Sequence, residues 1–404
     1  MKLLLNTKFI AATLIMLTAA LVFFYPAYQL NIANARTNSP AVPLVTENTP
    51  SIEVVFVLDT TGSMSGLIQA AKEKIWSIAS SMGSAQQTPN IKIGLVAYRD
   101  RKESYITKII DLSNDLDTMY AQLMDFKAAG GGDGPESVNQ ALYDAVHKMS
   151  WSQSDTVYKA VFLVGDAPPH MDYQDDVKYP VTLKVAASKG IVVNTIQCGS
   201  NRNTTPKWQH IASLSQGQYF QVAQAGNAVA IATPYDKKLA VLAKKIDKTR
   251  LFFGNESDKK AQLRKDSATK KMYSRSSDAS QARRAEFNVT PSGKANFVGE
   301  KELVDAIASG RIELDSVKKS ELPAVMQPMS SVEQQKHISG LAEERKVIKQ
   351  QIQALADSRQ IYIQDKLKKS KHDVSSSLDE KLYKTIRKQA GKKGLDYSSK
   401  LERY

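Results

Sequence analysis

The sequence has one cysteine, five histidines and three tryptophans among its 404 residues. The single cysteine, Cys198, excludes an intramolecular disulfide and is predicted to be a small buried side chain rather than a nucleophile. With so few histidines there is no histidine-rich zinc motif, and no Ser-His pair, Cys-His pair or P-loop pattern is visible. Trp76, Trp151 and Trp208 lie far apart, which favours core packing over a base-stacking platform, and no nucleic-acid partner is expected.

Basic charge is scarce in the first part of the chain and abundant in the second. Residues 1–236 hold 18 basic and 19 acidic side chains, whereas residues 237–404 hold 37 and 22. The formal net charge of +14 is therefore a property of the C-terminal part. An ordinary solvated helical surface is the favoured interpretation, and an acidic partner such as an anionic membrane or an envelope polymer is the alternative.

The first 35 residues have the pattern of an export signal. Lys2 and Lys8 precede the apolar run 9–25, and Ala33-Asn34-Ala35 offers a small-residue cleavage site. We expect export to the periplasm or to the outside of the cell. An uncleaved inner-membrane anchor is the alternative, because a run of about 17 residues reaches the lower limit of length for a membrane-spanning helix. Residues 36–50 contain three prolines and are predicted to be an extended linker.

Strand-like and helix-like patterns alternate between residues 51 and 248. This alternation predicts an α/β fold with a mostly parallel sheet flanked by helices. The predicted strands are 53–58, 92–98, 160–165 and 191–198, and the predicted helices are 67–82, 116–127, 136–149, 177–188, 206–213 and 227–248.

The remainder of the chain is predicted to be mainly α-helical. Residues 250–285 are polar and basic and are expected to be loosely structured. Residues 285–298 alternate in a way that is typical of short strands, and a short helix is expected at 303–308.

A long helix is predicted to begin at Ser331. Apolar side chains recur at spacings of three and four between Ile338 and Tyr362, which is a heptad pattern. Arg345 and Arg359 fall on the same stripe and weaken it. Both a helical hairpin with residues 376–390 and a coiled coil between chains are therefore open.

Three oxygen-bearing side chains follow the first predicted strand. Asp59, Thr61 and Ser63 stand at alternate positions directly after the apolar run 53–58. Loops at the carboxyl ends of strands in an open α/β sheet are where ligands bind. Carboxylate and hydroxyl oxygens are suited to Mg²⁺, with Mn²⁺ or Ca²⁺ as alternatives.

Two further segments are expected at the same edge of the sheet. The run 130–136, Gly-Gly-Gly-Asp-Gly-Pro-Glu, stands directly before a predicted helix, and Asp166 follows the strand 160–165. The topology of an open α/β sheet brings such loops together. His170 and Arg99 would lie close by, as residues that support the ligands by hydrogen bonding; for Arg99 a structural pairing with Asp100 is favoured over orienting a partner's carboxylate.

The Asp-x-Thr-x-Ser pattern resembles the metal-ion-dependent adhesion site of von Willebrand factor A (vWA) domains. The loop 130–136 has no threonine of the kind many such domains carry, and its Asp133-Gly134-Pro135-Glu136 run resembles the integrin β-subunit loop instead. The resemblance implies a Rossmann-like vWA fold of a bacterial exported type. It further implies that Glu136 joins Asp59, Thr61, Ser63 and Asp166 as metal ligands, and that Asp133 serves a second metal site.

The expected division of the chain has five parts. They are a signal peptide or anchor at 1–35, a linker at 36–50, a vWA domain at 51–248, a basic connecting region at 249–330 and a basic helical or coiled-coil region at 331–404. The expected function is a binding module of the cell envelope that docks an acidic side chain of a protein partner on Mg²⁺. A structural or assembly protein that acts through its basic C-terminus is the alternative, and a metal-dependent hydrolase is a weaker one because no catalytic pair is visible.

Overall fold

A computed structural model describes residues 50–132, 134–225, 231–369 and 378–398. The predicted export signal, nearly all of the predicted linker and Asp133 lie outside the described residues. Within these ranges, no helix is both long enough and apolar enough to cross a lipid bilayer.

A six-stranded sheet forms the centre of the molecule. Its spatial order is β3-β2-β1-β4-β5-β6, and every neighbouring pair is parallel except β2 and β3, which are antiparallel. The strands are β1 (Ser51–Asp59), β2 (Asn90–Tyr98), β3 (Thr107–Ser113), β4 (Tyr158–Gly165), β5 (Ile191–Cys198) and β6 (Tyr219–Val222).

The four predicted strands are confirmed as β1, β2, β4 and β5, and each begins within two residues of its expected start. Strands β3 and β6 were not predicted. Both lie at the edges of the sheet and are partly exposed, and β6 has only four residues. An edge strand is buried incompletely, so its sequence lacks the continuous apolar run that identifies the central strands.

Helices cover both faces of the sheet. Side chains at Val54, Phe56 and Leu58 pack on one face with Trp76, while Val55 and its neighbours pack on the other. This alternation is expected because successive side chains of a strand point to opposite faces. The sheet-covering helices are α1 (Ser65–Met82), α2 (Leu116–Leu123), α3 (Val138–His147), α4 (Tyr179–Ser188) and α5 (Thr204–Leu214).

The C-terminal part is more ordered than predicted. The region that was expected to be loosely structured contains α7 (Glu256–Arg275). A reciprocal capping box between Asn255 and Asp258 stabilises the first turn of this helix. The strands expected over residues 285–298 are also wrong, because this segment contributes to α8 (Asp278–Asn288) and α9 (Lys294–Val298). The predicted short helix is confirmed as α10 (Leu303–Ala308), and α6 (Asp236–Asp247) falls within the predicted helix 227–248.

The long predicted helix is confirmed as α11 (Ser331–Lys369). Its apolar stripe is buried within the chain, where Ile348 and Ile352 pack with residues of α6 and α9. The stripe is therefore not available for a coiled coil between chains. Arg345 does not weaken it, because its guanidinium forms two bonds of 2.9 and 3.0 Å with the buried carboxylate of Glu302. Arg359 is likewise paired with Asp236, at 2.8 Å.

The last helix, α12 (Leu378–Gly391), does not form a hairpin with α11 as considered above. Leu378, Leu382 and Ile386 are instead buried in the core on the same face of the sheet as α1. Gln389 accepts a hydrogen bond from the Tyr158 hydroxyl (2.7 Å) and donates one to Asn194 Oδ1 (2.8 Å). The C-terminal helix therefore completes the core of the sheet.

Arg284 joins the helical region to the sheet-covering helices. Its fully buried guanidinium donates to both carboxylate oxygens of Asp117 in α2, and at 2.9 Å to Asp247 Oδ2 and to the Tyr273 hydroxyl. Burial by itself would raise the pKa of Asp117, but Arg284 outweighs it and holds this pKa well below the ordinary value. One arginine thus compensates two carboxylates that have been removed from water.

We expect Arg284→Met to lower the free energy of unfolding by about 3–5 kcal/mol, because it leaves Asp117 and Asp247 without their shared cation. Arg275→Met is the matched control, since Arg275 is half exposed and its pair with Asp125 lies at the surface. Urea unfolding followed by tryptophan fluorescence measures both variants. Equal stability of the two variants would contradict the role assigned to Arg284.

Candidate metal centre

The loop after β1 brings together three of the predicted ligands. Asp59 Oδ1 accepts hydrogen bonds from the Thr61 backbone N–H (2.9 Å) and from the Thr61 hydroxyl (2.7 Å). The Thr61 and Ser63 hydroxyl oxygens are 3.4 Å apart. A short 3₁₀ turn, Gly62–Met64, leads directly into α1. The two hydroxyls and the carboxylate therefore form one group of oxygen atoms.

The glycine-rich loop lies against this group. The Ala129 N–H donates to the Thr60 carbonyl at 3.1 Å, and the Gly62 N–H donates to the Gly130 carbonyl at 3.2 Å. Gly130 and Gly131 have φ angles of 83° and 90°, which glycine adopts far more readily than other residues. Their conformation lets the loop approach Thr61 closely.

Glu136 is fixed to the segment that follows β4. Its backbone N–H donates to the Pro168 carbonyl at 2.9 Å, and its carbonyl accepts from the His170 N–H at 3.0 Å. Gly165, the last residue of β4, has no room for a side chain, because a Cβ atom would lie 2.4 Å from the Tyr98 hydroxyl. These contacts place Glu136 and Asp166 on the same side of the sheet as Asp59.

The three loops enclose a cavity of about 330 Å³. Four of the five predicted metal ligands line it, and Asp59 is fully buried. No lysine or arginine is present in the described part of its wall. The described lining residues are Thr61, Ser63, Gly130, Gly131, Gly132, Gly134, Glu136, Asp166, Ala167, Cys198, Ser200, Asn201 and Gln224.

Among the described residues, no basic side chain pairs with the carboxylates of Asp59, Glu136 or Asp166. Burial, together with the charges of Asp166 and Glu103, raises the pKa of Asp59 to about 7 despite the hydrogen bonds from Thr61. Burial and the neighbouring carboxylates also raise the pKa of Glu136 to about 9. Within the described residues, Asp59 Oδ2 and Glu136 Oε2 are buried without a hydrogen-bond partner. Such orphaned anionic oxygens are costly unless a cation or a proton meets them.

This donor set fits a hard divalent cation such as Mg²⁺. All candidate ligand atoms are carboxylate or hydroxyl oxygens, which Mg²⁺ prefers to nitrogen or sulfur. Across the described ranges, no three His, Cys, Asp or Glu side chains stand together as a metal cluster. The hydroxyls of Thr61 and Ser63 would therefore have to contribute to the ligand set, as the sequence pattern implies.

The two predicted supporting residues lie beside the cavity but not in its described wall. His170 Nδ1 is 2.8 Å from Asp172 Oδ1, and its Nε2 is 3.5 Å from Asp100 Oδ2. Arg99 does not pair with Asp100 as favoured above. Its guanidinium instead donates to the Lys127 carbonyl and lies 3.7 Å from Glu103. A buried arginine engaged in this way is structural.

Sequence patterns did not identify two residues of the site. Gln224 Nε2 donates to Asp166 Oδ2 at 2.7 Å and to the Ser63 carbonyl at 3.2 Å, so it bridges two of the loops. It follows β6, which was not predicted. Glu103 lies close enough to contribute to the raised pKa values of Asp59 and Glu136. No motif in the sequence marks either residue.

A larger cavity of about 710 Å³ lies between α6 and α11. Its wall is mainly apolar, with Lys237, Lys238 and Gln351 as polar members. The described part of this wall contains no carboxylate, so it does not fit a divalent cation.

Comparisons with known proteins agree with this architecture. Residues 53–234 match the family model of the von Willebrand factor A domain. The chain is 28% identical over 124 residues to a putative ariadne-like RING finger protein of Acanthamoeba polyphaga mimivirus, which is 31% of this chain and 12% of that protein. It is 27% identical over 120 residues to the alpha-protein kinase vwkA of Dictyostelium discoideum, which is 30% of this chain and 19% of that protein. The chain thus spans less than a fifth of these curated relatives.

Among solved structures, the chain is similar to proximal thread matrix protein 1 of the mussel byssus. The identity is 14% and the TM-score 0.34, over 44% of this chain and 42% of that one. A von Willebrand factor type A protein of Catenulispora acidiphila gives 13% identity and a TM-score of 0.34, over 55% and 43%. The family match over residues 53–234 and the mostly parallel six-stranded sheet support a fold of the von Willebrand factor A type for this part of the chain.

Proposed function

We propose that this protein is a metal-dependent protein-binding module that docks an acidic side chain of its partner at the cavity described above. The observation that carries the proposal is a cavity lined by the hydroxyls of Thr61 and Ser63 and the carboxylates of Glu136 and Asp166. Beside it, Asp59 Oδ2 and Glu136 Oε2 are buried carboxylate oxygens that have no hydrogen-bond partner within the described residues. Asp59, Thr61, Ser63, Glu136 and Asp166 would hold Mg²⁺. When bound, Mg²⁺ would supply positive charge and a coordination position for an anionic oxygen.

The cavity wall supports a partner of this kind. While no metal is bound, the described wall offers no positive charge to an acidic side chain, and Arg99 is buried and engaged with the Lys127 carbonyl. The other polar members, including Ser200, Asn201 and Gln224, are neutral and can only add hydrogen bonds. Binding of an acidic partner should therefore depend strictly on the metal.

We propose binding rather than catalysis. Burial raises the pKa of the Cys198 thiol well above its ordinary value, which keeps this side chain protonated and unreactive. The ring of His170 lies between Asp172 and Asp100 and is not part of the described cavity wall. The chemistry that remains is suited to holding a ligand.

We also propose that the protein works in the cell envelope, because residues 1–35 have the pattern of an export signal. The basic residues of the C-terminal part would then face the outside of the membrane. Fractionation of cells that express the full chain, with N-terminal sequencing of the product, decides between the cytoplasm, a cleaved exported form and an uncleaved anchored form.

The first prediction concerns the metal. Calorimetric titration of the full chain with Mg²⁺ should show one saturable site, and Asp59→Ala and Glu136→Ala should each abolish it by removing an oxygen ligand. Asp172→Asn is the matched control, since Asp172 is an exposed carboxylate near the site.

On an array of acidic peptides and their amide counterparts, binding should require both the carboxylate and Mg²⁺ and should stop in EDTA. Unaltered peptide binding by Asp59→Ala would contradict the docking proposal.

A second prediction concerns the stability of the metal-free protein. The folded state raises the pKa of Asp59 from 3.8 to about 7, so ionisation of this carboxyl disfavours folding progressively as the pH rises through that interval. Asp59→Asn keeps an oxygen that can accept from Thr61 but carries no charge. In EDTA at pH 8 it should raise the melting temperature by a few degrees, whereas Mg²⁺ should raise that of the wild type only. A lower melting temperature for Asp59→Asn would show that the charge is compensated in the folded state.

A third prediction concerns pH. Near pH 7 the metal-free site retains protons, because the pKa values of Asp59 and Glu136 are raised to about 7 and about 9. Mg²⁺ must displace these protons, so its affinity should rise by roughly tenfold or more between pH 6.5 and pH 8.5. Calorimetry in two buffers of different ionisation enthalpy counts the protons released. A constant affinity without proton release would contradict this assignment.

A further inference from the structure

The turn that follows β2 forms a fourth side of the metal centre. Within it, Glu103 Oε1 accepts a hydrogen bond of 2.7 Å from the Gly131 backbone N–H. The neighbouring Gly130 lies so close that an added Cβ atom would be 1.6 Å from Glu103 Oε2. The Glu103 carboxylate is therefore seated against the glycine-rich loop at the point where this loop passes Thr61.

Arg99 holds this carboxylate and the start of the same loop. Its Nη2 donates to the Lys127 carbonyl at 2.7 Å and its Nη1 donates to the Ser104 hydroxyl at 2.9 Å. Its Nη1 also lies 3.7 Å from Glu103 Oε2. Lys127, three residues before Gly130, and the Gly131 amide are thus both attached to a single five-residue stretch of the turn, from Arg99 to Glu103.

Tyr105 attaches the turn to the loop after β1. Its hydroxyl is 2.6 Å from Thr60 Oγ1, and the Arg99 guanidinium lies 4.6 Å from the centre of its ring. The turn therefore contacts two of the three loops that carry the proposed metal ligands. It thus links these two loops in addition to the backbone hydrogen bonds that join them directly.

The Glu103 carboxylate also contributes charge without being a ligand. It is absent from the described cavity wall, and within the described residues its buried Oε2 forms no hydrogen bond. Its charge acts on both Asp59 and Glu136, whose pKa values it helps to raise. A divalent cation among these carboxylates would be attracted by Glu103 as well.

We propose that Glu103 is a positioning residue of the cation site, which orders the glycine-rich loop through the Gly131 amide and strengthens cation binding through its charge. This inference rests on the proposed function, since it assumes that the cavity holds a divalent cation. The two parts of the role can be separated, because a glutamine at this position keeps an oxygen for the Gly131 N–H and loses the charge.

The test compares Glu103→Gln and Glu103→Ala in the full chain. Calorimetry with Mg²⁺ should give an affinity about three- to tenfold lower for Glu103→Gln, and the difference should shrink at high salt. Hydrogen exchange of ¹⁵N-glycine-labelled protein in EDTA should show faster exchange of the Gly131 amide in Glu103→Ala, while Glu103→Gln keeps the wild-type rate. Asp155→Asn is the matched control, because it removes one exposed charge just before β4, at the amino ends of the strands and away from the metal centre.

The outcomes distinguish this inference from the proposed function. A wild-type Mg²⁺ affinity in Glu103→Gln would overturn the electrostatic role, and an unchanged Gly131 exchange rate in Glu103→Ala would overturn the positioning role. If the wild-type protein binds no Mg²⁺ at all, the proposed function and the electrostatic role both fail. The exchange measurement in EDTA then still decides whether Glu103 orders the loop.

Discussion

The parallel pairing of β1 with both β2 and β4 is the constraint on which the site depends. The register places Asp59 opposite Tyr98 and Leu58 opposite Val164, so the carboxyl ends of three strands meet at one edge. The loops that leave these strand ends therefore lie next to one another. Gly165 then allows Tyr98 and Asp59 to approach β4 more closely than any other residue would permit.

Asp117 and Asp59 are both buried, but their pKa values are shifted in opposite directions. Asp117 is enclosed by the guanidinium of Arg284 and is held ionised, although it is as deeply buried as Asp59. Among the described residues, Asp59 accepts hydrogen bonds from Thr61 and faces the charges of Asp166 and Glu103, so the same degree of burial raises its pKa. The contrast shows that this chain supplies arginines where charge has to be neutralised for folding. At the carboxyl edge of the sheet no arginine or lysine of the described cavity wall takes this part, and this difference underlies the proposed cation site.

The sequence predicted those features that local pattern determines. Strands β1 and β4 are buried on both faces and contain apolar runs, and the oxygen-bearing residues that follow them could be placed from topology alone. Helix α7 was missed because most of its surface is solvated and only one narrow face, with Ala268 and Met272, is buried. Arg345 and Arg359 were predicted to weaken the apolar stripe of α11, because their acidic partners are distant in sequence and could not be identified from it. Glu103 and Gln224 act through contacts with loops that only the folded chain brings near them, which no spacing rule could reveal.

The place of α12 in the core has a consequence for how the protein is made. Leu382 and Ile386 lie in the same core as Phe56 of β1, although more than 300 residues separate them from this strand in the sequence. Until α12 has been synthesised, the part of the sheet face that it covers remains open to water. Strand β1 must therefore wait for a helix that is made much later, and in the meantime the nascent chain exposes apolar surface to chaperones.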